Sequence, residues 1–373
     1  MKEEPTFTKK IGNNVVKVVS KSERIFEIEE DAIKDSGFTG YKDILHSYSN
    51  GNHQTVIFKD GTRYRETFDE DADHFTYRFA ENADVKITNY CNAGCPYCHE
   101  NSSVNGKHAE LFKDGHLLPI FTTWNPGSEI AIGGGNALAH PDIVEFTKQL
   151  TALGAVCNIT VNQKHIWDDK LELMIRKGYV KGVGISLTNS SSGADLNRIR
   201  QLKHFSHNNV VLHVIAGIFN EKDLDFIVRG NLKTLILGYK DNVGRGVGFK
   251  KENKDSIDNN IEWLHNKLSY LKEIAPVMSF DNLALAQLDA KEALGMSDEE
   301  WAYRFQGKDY GDPNGHDAPS TFYFDAVNKM IGRSSTQPYD QRVPYTNQSF
   351  EDAFKDSLSN YKVNEGKYGE IKE

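Results

Sequence analysis

From about residue 83 the chain alternates between two patterns. Short runs rich in Val, Ile and Leu are separated by longer stretches in which apolar residues recur every three or four positions. The short runs are DVKIT (84–88), EIAI (129–132), AVCNITV (155–161), GVGISL (182–187), VVLHVI (210–215), TLILGY (234–239) and PVMSF (276–280). Each predicts a strand. Between them, PDIVEFTKQL (141–150) places Ile143, Phe146 and Leu150 on one helical face, and its proline suits a first turn. DDKLELMIRKG (168–178) predicts a second helix capped by Gly178. Such alternation implies parallel strands joined by crossover helices. The fold class expected is α/β, a partial (β/α)6-type barrel of parallel strands, with its sites at the C-terminal strand ends.

The flanks read differently. Residues 1–80 predict a small β-rich accessory domain, with short strands at VVKVV (15–19) and RIFEIEE (24–30). TVIFKDGTRYRETF (55–68) predicts a hairpin turning at Lys59-Asp60-Gly61-Thr62, and DEDADH (69–74) a polar joint. The core barrel is expected over 81–290. Beyond it lies a C-terminal extension, 291–373, in which TFYFDAVNKMIGRSS (321–335) predicts a strand and a turn before a polar tail, SNYKVNEGKYGEIKE.

Composition narrows the function. Of 373 residues, 38% are hydrophobic and 26% charged, as in a soluble globular protein. No apolar run approaches the roughly 18 residues of a membrane span. MKEEPTFTKK lacks the apolar core of a signal peptide, so the expected compartment is the cytoplasm, where thiols stay reduced. The net charge of −9 argues against long nucleic acids, whose binding needs a basic field. In a reducing compartment, the four cysteines point to metal or redox chemistry.

Three of those four stand in NYCNAGCPYCHENS (89–102), as Cys91, Cys95 and Cys98. Zinc sites usually present paired C-x2-C knuckles and four ligands, and here there is one such pair. Three thiolates on a [4Fe–4S] cluster would leave one iron open to a small molecule. The loop directly follows the first predicted strand, and the second strand ends in IGGGNALAHPD (132–142). Other residues have plainer readings. Cys157 is expected to be an apolar filler on its strand, and His213 a core histidine. His99 and Glu100 are expected to position the cysteine loop. Asp325 could reach the barrel mouth. In GYKDNVGRGVG (238–248), Lys240 and Arg245 flank a glycine-rich loop that reads as an anion pocket for a substrate carboxylate or phosphate, or as a solvated turn.

The C-x3-C-x2-C spacing, with Tyr97 before the last cysteine, resembles the radical S-adenosylmethionine (radical SAM) family, and the resemblance covers about residues 83–290. It implies that Cys91, Cys95 and Cys98 hold a [4Fe–4S] cluster. It implies further that Gly133, Gly134, Gly135 and Asn136 meet the methionine amino group of the cofactor. Asn136 stands where the family has glutamate; its amide oxygen accepts a hydrogen bond but carries no charge. Ser186 corresponds to a ribose contact and Ile218 to an adenine contact. The chemistry implied is electron transfer from the reduced cluster to S-adenosylmethionine, giving methionine and a 5′-deoxyadenosyl radical that removes hydrogen from a small-molecule or peptide substrate. An electron donor such as flavodoxin or ferredoxin is implied as a partner. No cysteine follows Cys157, which excludes an auxiliary cluster on C-terminal thiolates. Two other readings compete. One is a zinc-stabilised, non-catalytic binding protein using Cys157 as fourth ligand. The other is a member of the same family acting on a nucleic acid, or on a nucleotide held by Lys240 and Arg245.

Overall fold

The N-terminal segment contributes β1 (Phe7–Ile11) and β2 (Asn14–Val18), an antiparallel pair. It also contributes a three-stranded antiparallel sheet of β3 (Ile44–Asn50), β4 (His53–Phe58) and β5 (Arg63–Thr67). The computed structural model describes residues 7–11, 14–18, 44–58, 63–68, 75–123, 128–188, 192–304 and 320–359. RIFEIEE, the Lys59–Thr62 turn, the DEDADH joint and the tail beyond Ser359 lie outside them.

The seven predicted runs all form strands: β6 (Asn82–Thr88), β7 (Glu129–Gly134), β8 (Val156–Asn162), β9 (Gly182–Ser186), β10 (Val210–Ile215), β11 (Lys233–Leu237) and β12 (Met278–Phe280). They pair in parallel, in chain order. Three C-terminal strands extend the sheet from its other side: β13 (Thr321–Asp325), β14 (Met330–Gly332) and β15 (Val343–Pro344). The result is one ten-stranded sheet, ordered β12-β11-β10-β9-β8-β7-β6-β13-β14-β15. β13 lies parallel to β6, and only β14, paired antiparallel with β13 and β15, runs the other way. This is the mixed α/β, mostly parallel partial barrel that the alternation predicts.

Period two decides what each face does. Val85, Ile87, Ile130, Ile132, Ile159 and Val161 point outward and are buried. They pack in one core with Ile143, Phe146 and Leu150 of the helix Ile143–Ala152 and with Leu171 and Met174 of the helix Asp169–Arg176. Each such side chain contributes about 1.5–3 kcal/mol by leaving water. Phe322 and Phe324 of β13 belong to the same layer. Phe322 meets Phe350 and Phe354 of the C-terminal helix Phe350–Ser359 at centroid distances of 5.2 and 5.5 Å. The intervening positions face a lumen and are largely polar: Asp84, Lys86, Asn158, Thr160, Asn162, Ser186, His213, Tyr323 and Asp325.

The predicted caps are partly realised. Gly178 sits just past its helix with φ of 69°, the left-handed conformation that glycine adopts without strain. Pro141 falls one residue before the N-cap, Asp142, because the His140 ring accepts the Asp142 N–H at 3.1 Å and the turn closes there.

The β3–β5 sheet sits at the N-terminal ends of the barrel strands, opposite the cysteine loop. Tyr48, Ile57, Phe79 and Val156 form its small core against β8. Arg63 reaches across to Asn82 at 2.8 Å and to Glu129, the first residues of β6 and β7. Beside them Glu81, fully buried, accepts from Thr55 at 2.6 Å and Arg65 at 2.6 Å, pairs with His53 at 3.0 Å, and lies 3.5 Å from Arg63. Burial alone would raise the Glu81 carboxyl; His53, Arg65, Arg63 and Thr55 together outweigh it and hold it well below the usual carboxylate range. Removing one partner of a buried ion pair strands the other. Glu81→Ala is therefore expected to lower unfolding free energy by about 3–5 kcal/mol in urea titrations. Because the folded carboxyl is depressed, its contribution is complete above the unfolded value and is lost only as pH falls towards the folded one. The gap between wild type and Glu81→Gln should hold steady from about pH 6 to 8 and shrink below about pH 4.

Candidate functional site

Past Thr88 the chain leaves β6 and curls through Cys91, Cys95 and Cys98 at the C-terminal mouth of the barrel. A curled loop has carbonyls that no ladder satisfies, and the surrounding strand ends supply the missing donors. Arg245 donates from Nε and Nη2 to the Cys95 carbonyl at 3.1 and 2.9 Å, and from Nη1 to the Ser102 carbonyl at 2.9 Å. Its own backbone N–H donates to the Cys98 carbonyl at 3.0 Å. Lys164, after β8, donates to the Ala93 carbonyl at 2.6 Å. Asn162 points its amide at Cys95 Sγ, 3.5 Å away. Gly244 has φ of 57°, and a Cβ there would stand 2.4 Å from the His99 carbonyl oxygen. The glycine-rich loop after β11 is thus pressed onto the cysteine loop, and Arg245 grips that loop. Lys240 lies 3.4 Å from His99 Nε2 and 3.3 Å from Ser335 Oγ.

The three thiols are partly buried and close enough to feel one another's charge. Burial pushes Cys91 and Cys95 up, and the neighbouring thiols add to this; Arg245 and Lys164 pull the other way. Among the described residues no three His, Cys, Asp or Glu side chains are set to hold a single metal ion. Cys157 stands apart. It is on the outward face of β8, wholly buried in the helix-covered core, and burial pushes its thiol up to about 12. Asn162, which touches Cys95, is five residues further along β8 and on the other face, roughly 16 Å away along the strand. Tyr97 packs its ring edge-on against Phe249 at 5.7 Å, and burial pushes its hydroxyl up.

The end of β7 meets the base of the cysteine loop at backbone contact. Gly134 has φ of 105°, and a Cβ there would lie 2.5 Å from the Thr88 carbonyl oxygen. At Gly135 it would lie 2.2 Å from the Tyr90 carbonyl oxygen. The Gly135 and Asn136 N–H groups donate to those two carbonyls at 2.7 and 2.6 Å. Gly133, by contrast, faces open space. Asn136 is 8% exposed, and its side-chain oxygen is buried with no hydrogen-bond partner. An orphaned acceptor three residues from that open space fits a ligand that brings an N–H donor. Ser186 ends β9, its Cα registered with Asn162 and His213. Ile218 lies in the turn after β10, half-buried, beside Gly217 with φ of 82°. Both stand at the end of the barrel that carries the cysteine loop. His213 folds over Gly184, where a Cβ would be 2.5 Å from its ring, and burial lowers it to about 4, so it is neutral.

Lys86 and Tyr323 were not anticipated in the sequence, yet they join the loop to the lumen. Lys86 Nζ pairs with Glu100 at 2.8 Å and Asp325 at 3.3 Å. The Tyr323 hydroxyl donates to Glu100 at 3.3 Å, and His99 lies 3.5 Å from the same carboxylate. Asp325 also accepts from Asn328 at 2.9 Å and lies 3.5 Å from Arg342. Burial would raise Glu100, but His99 and Lys86 hold it well below the usual range. Alternation along TFYFD is the one sequence signal that puts Tyr323 and Asp325 on the face opposite the two phenylalanines.

Among the described residues no helix is long and apolar enough to cross a membrane. No curated protein is significantly similar to the chain in sequence. Its structure is similar to SuiB of Streptococcus suis. Against SuiB bound to the precursor peptide SuiA, the TM-score is 0.56 at 13% identity, covering 84% of this chain and 87% of that one. Against SuiB bound to S-adenosylmethionine, it is 0.51 at 13% identity, covering 85% and 86%. At that identity the likeness concerns the fold. Residues 85–264 match the family model described as Radical SAM superfamily. The matched segment starts on β6, takes in the whole cysteine loop and ends in the long helix Gly246–Ile274, so the chain carries a radical SAM superfamily domain over residues 85–264 and is an enzyme.

Proposed function

We propose that Cys91, Cys95 and Cys98 hold a [4Fe–4S] cluster, that Gly133–Asn136 receive the methionine end of S-adenosylmethionine, and that the enzyme removes hydrogen from a peptide substrate admitted to the lumen. The observation that carries this reading is the buried, unpartnered Asn136 oxygen, tied through its own N–H to the residue before Cys91. When bound and reduced, the cluster supplies the electron that splits the cofactor's carbon–sulfur bond into methionine and a 5′-deoxyadenosyl radical. The chain's residues bind and orient. Asn136 offers a neutral acceptor to an ammonium, and Gly133 leaves room beside it. Ser186 and Ile218 are proposed as the ribose and adenine contacts. Arg245 and Lys164 hold the loop's carbonyls, so that the thiolates keep their spacing. A flavodoxin or ferredoxin is the proposed electron donor.

Two points narrow the alternatives. A zinc site would need Cys157 as fourth ligand, and that thiol faces the opposite side of β8 in the apolar core. A nucleotide substrate would need Arg245 free for phosphate, whereas its guanidinium is directed at the Cys95 and Ser102 carbonyls. A peptide is favoured because SuiB, which shares the fold, is solved with one.

Three outcomes follow. After anaerobic reconstitution and dithionite reduction, the wild type should release 5′-deoxyadenosine from S-adenosylmethionine, read by mass spectrometry, and the Cys91/Cys95/Cys98 triple alanine variant should release none. Product from the triple variant, or none from a cluster-loaded wild type, would sink the reading. Asn136→Ala should weaken S-adenosylmethionine binding about 10- to 150-fold in calorimetry at unchanged iron content, the loss of roughly one hydrogen bond to a charged group. Arg245→Gln should weaken iron retention against a chelator about 10- to 100-fold, as loss of a supporting contact commonly does; retention equal to wild type would remove Arg245 from the site.

A further inference from the structure

The lumen's charges are unevenly satisfied. Lys86, Glu100, Asp325 and Arg342 form one connected set. Arg63, at the floor, is taken up by Glu81, Asn82 and Glu129. Two charged side chains stand outside these sets. Lys240 touches His99 and Ser335 but no carboxylate among the described residues. Asp84 makes no hydrogen bond or ion pair with any described residue.

Asp84 is no ordinary surface aspartate. It lies on β6, in the interior of the ten-stranded sheet, registered with Ala131 of β7 and Tyr323 of β13. Its chain neighbours Ala83 and Val85 are buried outward, so Asp84 points into the lumen. There it is exposed, between the floor residues Asn82 and Glu129 and the Lys86 set above. Ala131 beside it has too short a side chain to fill the space. Solvent in the lumen reaches the carboxylate, while the enclosing barrel wall pushes it up to about 6; the charges whose fields reach it are Lys240, which lowers it, and Glu100, which raises it. A carboxylate that faces a lumen and has no counter-ion among the described residues is open to a cation entering that lumen, which would gain a charge-assisted hydrogen bond from it.

We propose that Asp84 recognises a cationic group of the substrate, an ammonium or guanidinium such as a lysine or arginine side chain of a peptide, and that Lys240 faces a neighbouring carboxylate or carbonyl of the same molecule. This rests on the proposed use of the lumen as the substrate chamber. It names the chemistry that chamber selects: an amine or guanidine on an arm long enough to pass the mouth and reach the floor side of Lys86.

The test uses reconstituted enzyme with S-adenosylmethionine and three probes: the N-acetyl amides of lysine, arginine and norleucine. Binding is followed by ligand-observed NMR, which needs no turnover. The lysine and arginine probes should bind wild type at least about tenfold more tightly than the norleucine probe, the effect of one charge-assisted hydrogen bond. Asp84→Asn should reduce that preference to about twofold or less while leaving norleucine affinity unchanged. Equal binding of lysine and norleucine probes to wild type would overturn the proposal, as would a preference that survives Asp84→Asn, or no saturable binding by any probe. The wild-type ranking stands even if the variant fails to fold. Cation preference without deoxyadenosine release would sink the catalytic reading and keep this site; release without preference would do the reverse.

Discussion

The structure turns on backbone carbonyls that the cysteine loop cannot satisfy by itself. A loop that curls tightly enough to bring three thiols together points its carbonyls away from any ladder, and each buried one must find a donor. The donors come from three different strand ends. Gly135 and Asn136 after β7 serve Thr88 and Tyr90, Lys164 after β8 serves Ala93, and Arg245 after β11 serves Cys95, Cys98 and Ser102. The contacts at Gly134, Gly135 and Gly244 are so close that a side chain at any of them would strike a loop carbonyl. The glycines and the two cations therefore answer one requirement. They let the barrel's rim close around the loop without leaving orphaned polar groups.

The same loop is anchored from below. Glu100 reaches Lys86 on β6 and Tyr323 on β13, and Lys86 reaches Asp325. Each ion here is costly to bury alone, and the set is tolerable because each member has more than one partner. This explains why the C-terminal strand belongs beside β6. With β13 absent, Lys86 would keep one carboxylate instead of two, and Glu100 would lose the Tyr323 hydroxyl. Phe322 and Phe324 on the reverse face fix β13 from outside, through Phe350 and Phe354. One five-residue strand thus serves the core with its even positions and the site with its odd ones.

What was legible in the sequence was what depends on local period and spacing. Alternation gave all seven core strands, the C-x3-C-x2-C spacing marked the loop, and the glycine run marked the end of β7. What was not legible depends on pairing over long sequence distances. TFYFD reads as a strand, but nothing local says that it lies parallel to β6, more than two hundred residues earlier. Lys86 looks like any exposed lysine of an alternating strand until β13 brings Asp325 to it. Arg245 reads equally well as an anion ligand, because a guanidinium that caps carbonyls and one that awaits a phosphate have the same sequence neighbourhood. Asp84 is unremarkable in DVKIT for the same reason: only the assembled sheet shows that its face is a lumen and that its neighbours are already paired.

The N-terminal sheet gives the lumen its direction. It meets the barrel at Asn82, Glu129 and Val156, where the strands begin, and the cysteine loop lies where they end. Its buried ion cluster pairs Glu81 with His53, Arg65 and Thr55. A barrel filled at its lower end by such a cluster admits molecules from the mouth, past the thiols and Asn136. A substrate entering that way meets Lys240 and the Lys86 set before it meets Asp84. On the proposed role of Asp84, the order of charges along this path, Lys240 near the mouth and an unpaired carboxylate below Lys86, suits a molecule that leads with a cation on an extended arm. A compact anion would be held at the rim and would leave Asp84 unsatisfied.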